Sequence, residues 1–242
     1  TILNNVFLDL GLSPLANSYV KSENQMENMY PLRTYVCEVC FLVQVQEYES
    51  PEHIFSDYAY FSSYSDTWLT HSKNYVQHLI DKFHYTIETQ VVEIASNDGY
   101  LLQYFREKGV SVLGIEPAEN VAKVAIGKGI ETSVNFFGTP IAKELKKEGK
   151  MADLLLGNNV LAHVPDLNDF VAGMKIMLKP QGTITMEFPH LLRLIEHNQF
   201  DTIYHEHYSY FSLSTVIRLF RQHQLTVYDV EQLSTHGGSI RI

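Results

Sequence analysis

The stretch from Val91 to Glu116, VVEIASNDGYLLQYFREKGVSVLGIE, limits what this chain can fold into more than any other. Val91, Val92 and Ile94 read as an apolar strand that stops at Ala95-Ser96-Asn97-Asp98-Gly99. Leu101, Leu102 and Phe105 recur at helical spacing, and Val110 to Ile115 read as a second buried strand. Strand, tight turn, helix and strand in that order open a parallel α/β sheet. Each strand carries an acid at its tip, Glu93 and Glu116. Their spacing is about the 20 residues at which a second-strand carboxylate reaches ribose hydroxyls.

The turn has one glycine and lacks G-x-G-x-x-G. A dinucleotide pyrophosphate needs several glycines for close backbone approach, so NAD is disfavoured. S-adenosylmethionine has an adenosine but no phosphate, and a turn with less glycine suits it. Glu93 and the Ser96, Asn97, Asp98 and Gly99 backbone are expected to hold its methionine end, with Asp98 receiving the ammonium. Glu116, followed by Pro117, is expected on the ribose.

Strand and helix alternate from Val91 to the end. Strands are predicted near 91–96, 110–116, 131–134, 151–158, 182–188, 225–231 and 238–242. Helices are predicted near 99–108, 118–128, 139–148, 167–178, 190–197 and 213–223. The last two strands follow each other without a helix and should pair antiparallel. The prediction is an α/β class I methyltransferase (Rossmann-like) fold: a mostly parallel seven-stranded sheet with an antiparallel last strand.

The rest of the chain is of other character. Residues 1–50 are short, turn-rich and β-like around Cys37 and Cys40, and read as a small zinc-type module. Residues 51–88 are aromatic and helical and read as a lid or linker; residues 89–242 form the cofactor-binding domain. Net charge is −10 with no basic run, which argues against nucleic acid as a partner. No apolar run approaches a membrane span and no signal peptide opens the chain. With only two cysteines the expected compartment is the cytoplasm, and the expected state a monomer. The chain opens at Thr1 without Met, so residues upstream are expected to be missing.

Three further clusters carry chemistry. The fourth strand of the α/β domain runs into Asn158, Asn159 and His163, whose amides and imidazole fall at the same sheet edge as the first turn. Their bland reading is a capped loop. The run Tyr204-His205-Glu206-His207 with flanking tyrosines follows the fifth strand. A histidine poised by a carboxylate is a general base near neutral pH; a structural polar cluster is the alternative. Cys37-x-x-Cys40 is half of a four-coordinate zinc site, and no other cysteine exists to complete it. The aromatics from Tyr58 to His71 pack a core or bring a tyrosine hydroxyl over a substrate.

Together these pieces resemble the zinc-containing class I C-methyltransferases of nucleotide-linked deoxysugars, such as the C-3′-methyltransferases of thymidine-diphosphate keto-sugars. The resemblance rests on LGLSPLANSYV at 10–20, YPLRTYVCEVCFLVQ at 30–44, FSDYAYFSSYSDTWLTHS at 55–72 and VVEIASNDGYLL at 91–102. It continues through LGIEPAENVA at 113–122, GNNVLAHVPDLNDF at 157–170, FDTIYHEHYSYFSL at 200–213 and HGGSIRI at 236–242. It implies two C-x-x-C pairs, of which this sequence holds the second, and a further C-terminal domain, so a fragment of a longer chain is expected. It implicates Tyr204, Glu206 and His207 in catalysis, with His163 and Tyr58 nearby. His207 is expected as the base, Glu206 as its holder, and Tyr204 beside an enolate oxygen. An O- or N-methyltransferase, or a non-catalytic cofactor-binding module, stays open.

Overall fold

The computed structural model describes residues 3–20, 22–55 and 58–242. Thr1, and Ser56 and Asp57 of the 55–72 motif, lie outside the described residues. Two compact units emerge. One comprises residues 1–54, 159–167 and 187–242; the other comprises 55–158 and 168–186.

The strands are β1 (Asn5–Ser13), β2 (Tyr30–Val36), β3 (Val43–Val45), β4 (Gln90–Ile94), β5 (Ser111–Ile115), β6 (Thr132–Ser133), β7 (Ala152–Asn158), β8 (Leu178–Pro189), β9 (Ser209–Tyr210), β10 (Glu231–Leu233) and β11 (Ser239–Arg241). The helices are α1 (Pro51–Phe55), α2 (Asp66–Phe83), α3 (Leu102–Glu107), α4 (Glu119–Gly127), α5 (Thr139–Lys147), α6 (Leu167–Met177), α7 (Leu191–Glu196) and α8 (Leu213–Gln222). Seven strands follow the order β10-β11-β8-β7-β4-β5-β6. β4 pairs parallel with β5 and β7, while β11 pairs antiparallel with both β8 and β10. This is the class I methyltransferase sheet, with its reversed strand inserted beside the edge.

In the second unit the central strands are apolar without alternation, as strands covered on both faces must be. Val91, Leu154 and Leu156 pack with Leu101, Leu102 and Phe105 and with Tyr75, Val76 and Leu79 of α2. Ser65 caps α2 by accepting the Trp68 N–H, and His84 ends it in the left-handed conformation.

Two expectations change. Leu225 to Val230 form no strand; the strand begins at Glu231. A ladder is only as long as its partner, and β11 offers three residues. The N-terminal β module also has a strand that sequence does not announce. Its sheet runs β1-β2-β3-β9, so the fourth strand comes from Ser209 and Tyr210, just after the histidine pair. Among the described residues no helix is long and apolar enough to cross a membrane.

Candidate functional site

The turn after β4 is wound tightly. Ala95, Asn97 and Gly99 have φ of 55°, 49° and 77°. Left-handed backbone is unfavourable for Ala by roughly 1–2 kcal/mol, so tertiary contacts hold it there. Gly99 is required twice: its φ is positive, and a Cβ would sit 2.3 Å from Ile130 Cδ1.

All four N–H groups of Ser96 to Gly99 are used inside the fold. They donate to Ile115 O, Glu116 Oε2, Asn97 Oδ1 and Ser96 O. No N–H cradle is left for a phosphate. Among the described residues, the buried side-chain oxygens of this unit without a partner are both oxygens of Glu93, Ser96 Oγ, Asp98 Oδ1 and Asn158 Oδ1. Once ionised, the Glu93 and Asp98 carboxylates, with the Asn158 carbonyl oxygen, are acceptors only, a set of lone pairs that fits a cation. Burial, first of all, pushes the Glu93 carboxyl well above its ordinary range; the charges of Glu116 and Asp98 add to this and Tyr100 opposes it. The methionine end of S-adenosylmethionine, with its ammonium and sulfonium charges, fits these residues.

Glu116 is busier than expected. Its Oε2 accepts the Asn97 N–H and its Oε1 the Ala118 N–H, both at 2.9 Å. It pins the first turn to the end of β5 and keeps a lone pair on each oxygen. Burial raises its pKa, and the two N–H groups oppose the rise. Pro117 lines a groove with Asn120, Lys123, Val134 and Phe136.

The segment from Tyr58 to Ser63 is fastened onto this turn. Asn97 Oδ1 accepts the Ser62 N–H at 2.9 Å, and its Nδ2 donates to Tyr60 O at 3.0 Å. Asp98 Oδ2 accepts from the Ser63 hydroxyl and pairs with Lys128 Nζ at 3.2 Å. Asn120 brackets Tyr58, accepting its N–H at 3.1 Å and donating to its carbonyl at 2.7 Å. Sequence reasoning missed Asn120, Lys128, Ser62 and Ser63. Only Asn120, in PAEN directly after Glu116, stood where a signal was available.

In the first unit the run Tyr204–His207 is a four-residue turn closed by His207 N–H to Tyr204 O, 3.0 Å. Residues three apart share a face in such a turn, and the Tyr204 hydroxyl meets His207 Nε2 at 2.9 Å. His207 Nδ1 lies 3.0 Å from Thr202 O. A carbonyl only accepts, so the ring proton is on Nδ1, and Nε2 accepts from the tyrosine. Burial, joined by the neighbouring His163, holds the His207 pKa well below its ordinary value. Burial also raises the Tyr204 hydroxyl.

Glu206 does not hold the His207 ring; this corrects the sequence expectation. At the turn's third position it points the other way, where Oε1 accepts from Asn17 Nδ2 at 2.7 Å and the buried Oε2 has no hydrogen-bond partner among the described residues. Its backbone carbonyl instead accepts from His163 Nδ1 at 2.9 Å. Burial brings His163 down to about 4. The His163 and His207 rings stand 4.7 Å apart, edge to face. Asn159, with φ 54°, reaches His236 rather than a ligand. His205 belongs to the β module: its Nε2 donates to Pro31 O at 3.2 Å, between Tyr30 and Tyr48.

Cys37 and Cys40 close a tight turn between β2 and β3. Phe41 N–H bonds Cys37 O and Cys37 N–H bonds Leu42 O, each at 2.9 Å, and Phe41 is left-handed at φ 63°. The Arg218 guanidinium donates to Val39 O and lies over the Phe41 ring. Both cysteines are thiols. No cluster of three His, Cys, Asp or Glu suited to a metal occurs among the described residues, so the pair fits half of a zinc site.

Residues 68–230 match the family described as "Methyltransferase domain", and residues 2–55 the family described as "Putative zinc binding domain". The chain is 36% identical over 235 residues to C-methyltransferase NovU of Streptomyces niveus, covering 96% of this chain and 56% of that protein. It thus spans a little over half the length of that relative. It is 30% identical over 94 residues to the ubiquinone biosynthesis O-methyltransferase of Bartonella tribocorum, 38% of each chain. In fold it is similar to magnesium protoporphyrin IX methyltransferase of Synechocystis PCC 6803 with bound SAH: TM-score 0.55, 13% identity, 72% of this chain and 80% of that one. With this sheet, this acceptor-lined turn and a family match across residues 68–230, the chain belongs to the methyltransferase domain family.

Proposed function

We propose that this chain carries the cofactor site and the base of an S-adenosylmethionine-dependent C-methyltransferase whose substrate is a small nucleotide-linked keto-deoxysugar. The observation that carries the reading is the Tyr204–His207 pair: a buried imidazole, neutral at pH 7, with its acceptor nitrogen against a tyrosine hydroxyl. Methylating carbon needs a carbanion equivalent, and a ketone beside that carbon provides one once its α-proton is removed. A neutral imidazole is a suitable base for this step. The α-proton passes to the Tyr204 oxygen as the Tyr204 proton passes to His207 Nε2, and the imidazolium is held by Thr202 O. S-adenosylmethionine, when bound, supplies the electrophilic methyl group.

Glu93 and Asp98 take the ammonium of the cofactor, Glu116 takes ribose hydroxyls with its spare lone pairs, and the Pro117–Asn120–Phe136 groove takes the adenine. Asn158 completes the acceptor set. The NovU relationship favours carbon over oxygen, because it runs along nearly the whole chain whereas the O-methyltransferase match covers 38% of it. Cys37 and Cys40 supply two zinc ligands in the intact protein, with the other two from outside these residues. Metal analysis of that protein, purified without chelator, is expected to give one zinc per chain.

The main test is mass spectrometry of a thymidine-diphosphate 4-keto-deoxysugar incubated with the intact protein and S-adenosylmethionine. A gain of one methyl on carbon, with deuterium taken up at that carbon in the absence of methyl transfer, is expected. Methylation at oxygen, or no reaction despite cofactor binding, would refute the reading.

A further inference from the structure

Asp98 is fully buried, yet its two carboxylate oxygens have different surroundings. Oδ2 accepts from the Ser63 hydroxyl and from Lys128 Nζ, the latter at 3.2 Å. Oδ1 is buried and has no hydrogen-bond partner among the described residues. Lys128 Nζ also donates to the Asp98 carbonyl at 2.9 Å, so one ammonium grips the backbone and the side chain of the same residue. A carboxylate held at one oxygen, on a residue held at its carbonyl, has little freedom to turn. Glu116 differs: both of its oxygens are occupied by backbone N–H groups.

Lys128 is itself firmly set. It stands one residue past α4, where its N–H bonds Val124 O and Ala125 O. Its carbonyl accepts from Arg106 Nη1 at 3.2 Å. Gly129 follows at φ 79°, and a Cβ there would meet Arg106 Nη2 at 2.9 Å. A Cβ at Gly99 would meet both Ala125 and Ile130, so the end of α4 abuts the cofactor turn. The Lys128 side chain is 33% exposed and that of Asp98 1%, which gives the pair a wet end and a dry end. A carboxylate out of water needs a cation or several donors. Lys128 meets that need at Oδ2. It offsets part of the charge that an arriving cation would feel, and in return it keeps Oδ1 pointing one way. For a ligand recognised by its amine, direction matters, because N–H···O bonds weaken steeply as they bend.

We infer that Lys128 is a positioning residue for the cofactor: it holds Asp98 by Oδ2 and by the carbonyl, so that Oδ1 alone meets the ammonium of S-adenosylmethionine. This rests on the reading above that Asp98 receives that ammonium.

The test is calorimetry on the intact protein with three ligands. They are S-adenosylmethionine, its decarboxylated form, which keeps the amine, and 5′-methylthioadenosine, which lacks both amine and carboxylate. Lys128→Met is expected to weaken the first two by about tenfold, the scale of one charge-assisted hydrogen bond, and to leave the third unchanged. Lys128→Arg, which returns a cation with donors, should recover part of the loss. A lysine with only a structural role would weaken all three alike, and that result would overturn the assignment. A loss for S-adenosylmethionine but not for its decarboxylated form would overturn it too, since Lys128 would then hold the cofactor carboxylate. If Lys128→Met does not fold, Lys128→Gln carries the same comparison. Asp98→Asn separates the two readings. It should weaken the two amines and spare 5′-methylthioadenosine; if it does not, the ammonium reading fails and this one with it. If it does, while the Lys128 variants bind all three ligands as the wild type does, only the role of Lys128 fails.

Discussion

The cofactor turn and the histidine turn treat buried polarity in opposite ways. After β4, Glu93 and Asp98 bury oxygens that have no hydrogen-bond partner among the described residues, and burial drives Glu93 toward its neutral form. Around His207 and His163, each Nδ1 bonds a backbone carbonyl, and burial keeps both rings uncharged. The first arrangement is unsatisfied until a cation arrives. The second is satisfied already, and burial keeps its two rings neutral, each with one ring nitrogen able to accept a proton. Binding by deficit and catalysis by restraint are thus separated along the chain.

The largest expected effect tests that separation. His207→Asn should lower methyl transfer by about 10²–10⁴-fold, the usual contribution of a general base, with S-adenosylhomocysteine affinity unchanged in calorimetry. A matching loss of affinity would show that the two regions are not independent.

Next come the carboxylates. Glu93→Gln and Glu116→Ala should each weaken cofactor binding by about 1.5–3 kcal/mol, the range for hydrogen bonds to a charged group. They are expected to differ in protons. Burial raises the Glu93 pKa and an ammonium beside it would lower it, so wild-type binding is expected to release a proton. Binding enthalpy will then vary with the ionisation enthalpy of the buffer. Glu93→Gln should abolish that variation, whereas Glu116→Ala should keep most of it.

Stability against pH should carry both signs. The unfolded chain protonates its histidines from about pH 6.5 downward, while folded His163 resists until about 4. Stability from this group is therefore complete above 6.5 and is lost as pH falls toward 4, by about 1.4 kcal/mol per pH unit. Glu93 runs the other way: above about pH 4.5 the unfolded chain releases a proton that the folded one keeps, so stability falls as pH rises. Between about pH 4.5 and 6.5 the two slopes oppose each other, so in urea melts His163→Asn should leave stability falling as pH rises, and Glu93→Gln should leave it rising. A slope of the same sign in both variants would break the contrast.

The smallest effect is at the fastening of the 58–63 segment. Ser63→Ala removes one hydrogen bond to Asp98, which keeps Lys128. A change of about 1 kcal/mol in unfolding free energy is expected, with faster amide exchange at Ser62 and Ser63.

The parallel strands, their helices and the acid-tipped turn were legible because buried strands and amphipathic helices write their periods into residue type. Contacts that use the backbone write nothing. Thr202 O, which sets the His207 tautomer, could be any residue's carbonyl, so the eye goes to the adjacent carboxylate of Glu206 instead. β9 was equally silent: two residues have no period, and Tyr210 pairs with Val43 far away in the chain. The predicted strand at 225–231 failed for the complementary reason, apolar residues with no partner strand beside them. The cysteine pair announced its turn.

That borrowed strand has a bearing on protein engineering. Ser209 and Tyr210 complete the sheet of the N-terminal module, and Asn17 of that module holds Glu206. A chimera that exchanges the first 54 residues for those of a relative would therefore graft a three-stranded sheet onto a foreign fourth strand and leave the histidine turn misregistered. The portable piece is discontinuous: the module must travel together with residues 200–212, and recombination sites placed at the apparent linker near residue 50 will yield folded but poorly active hybrids.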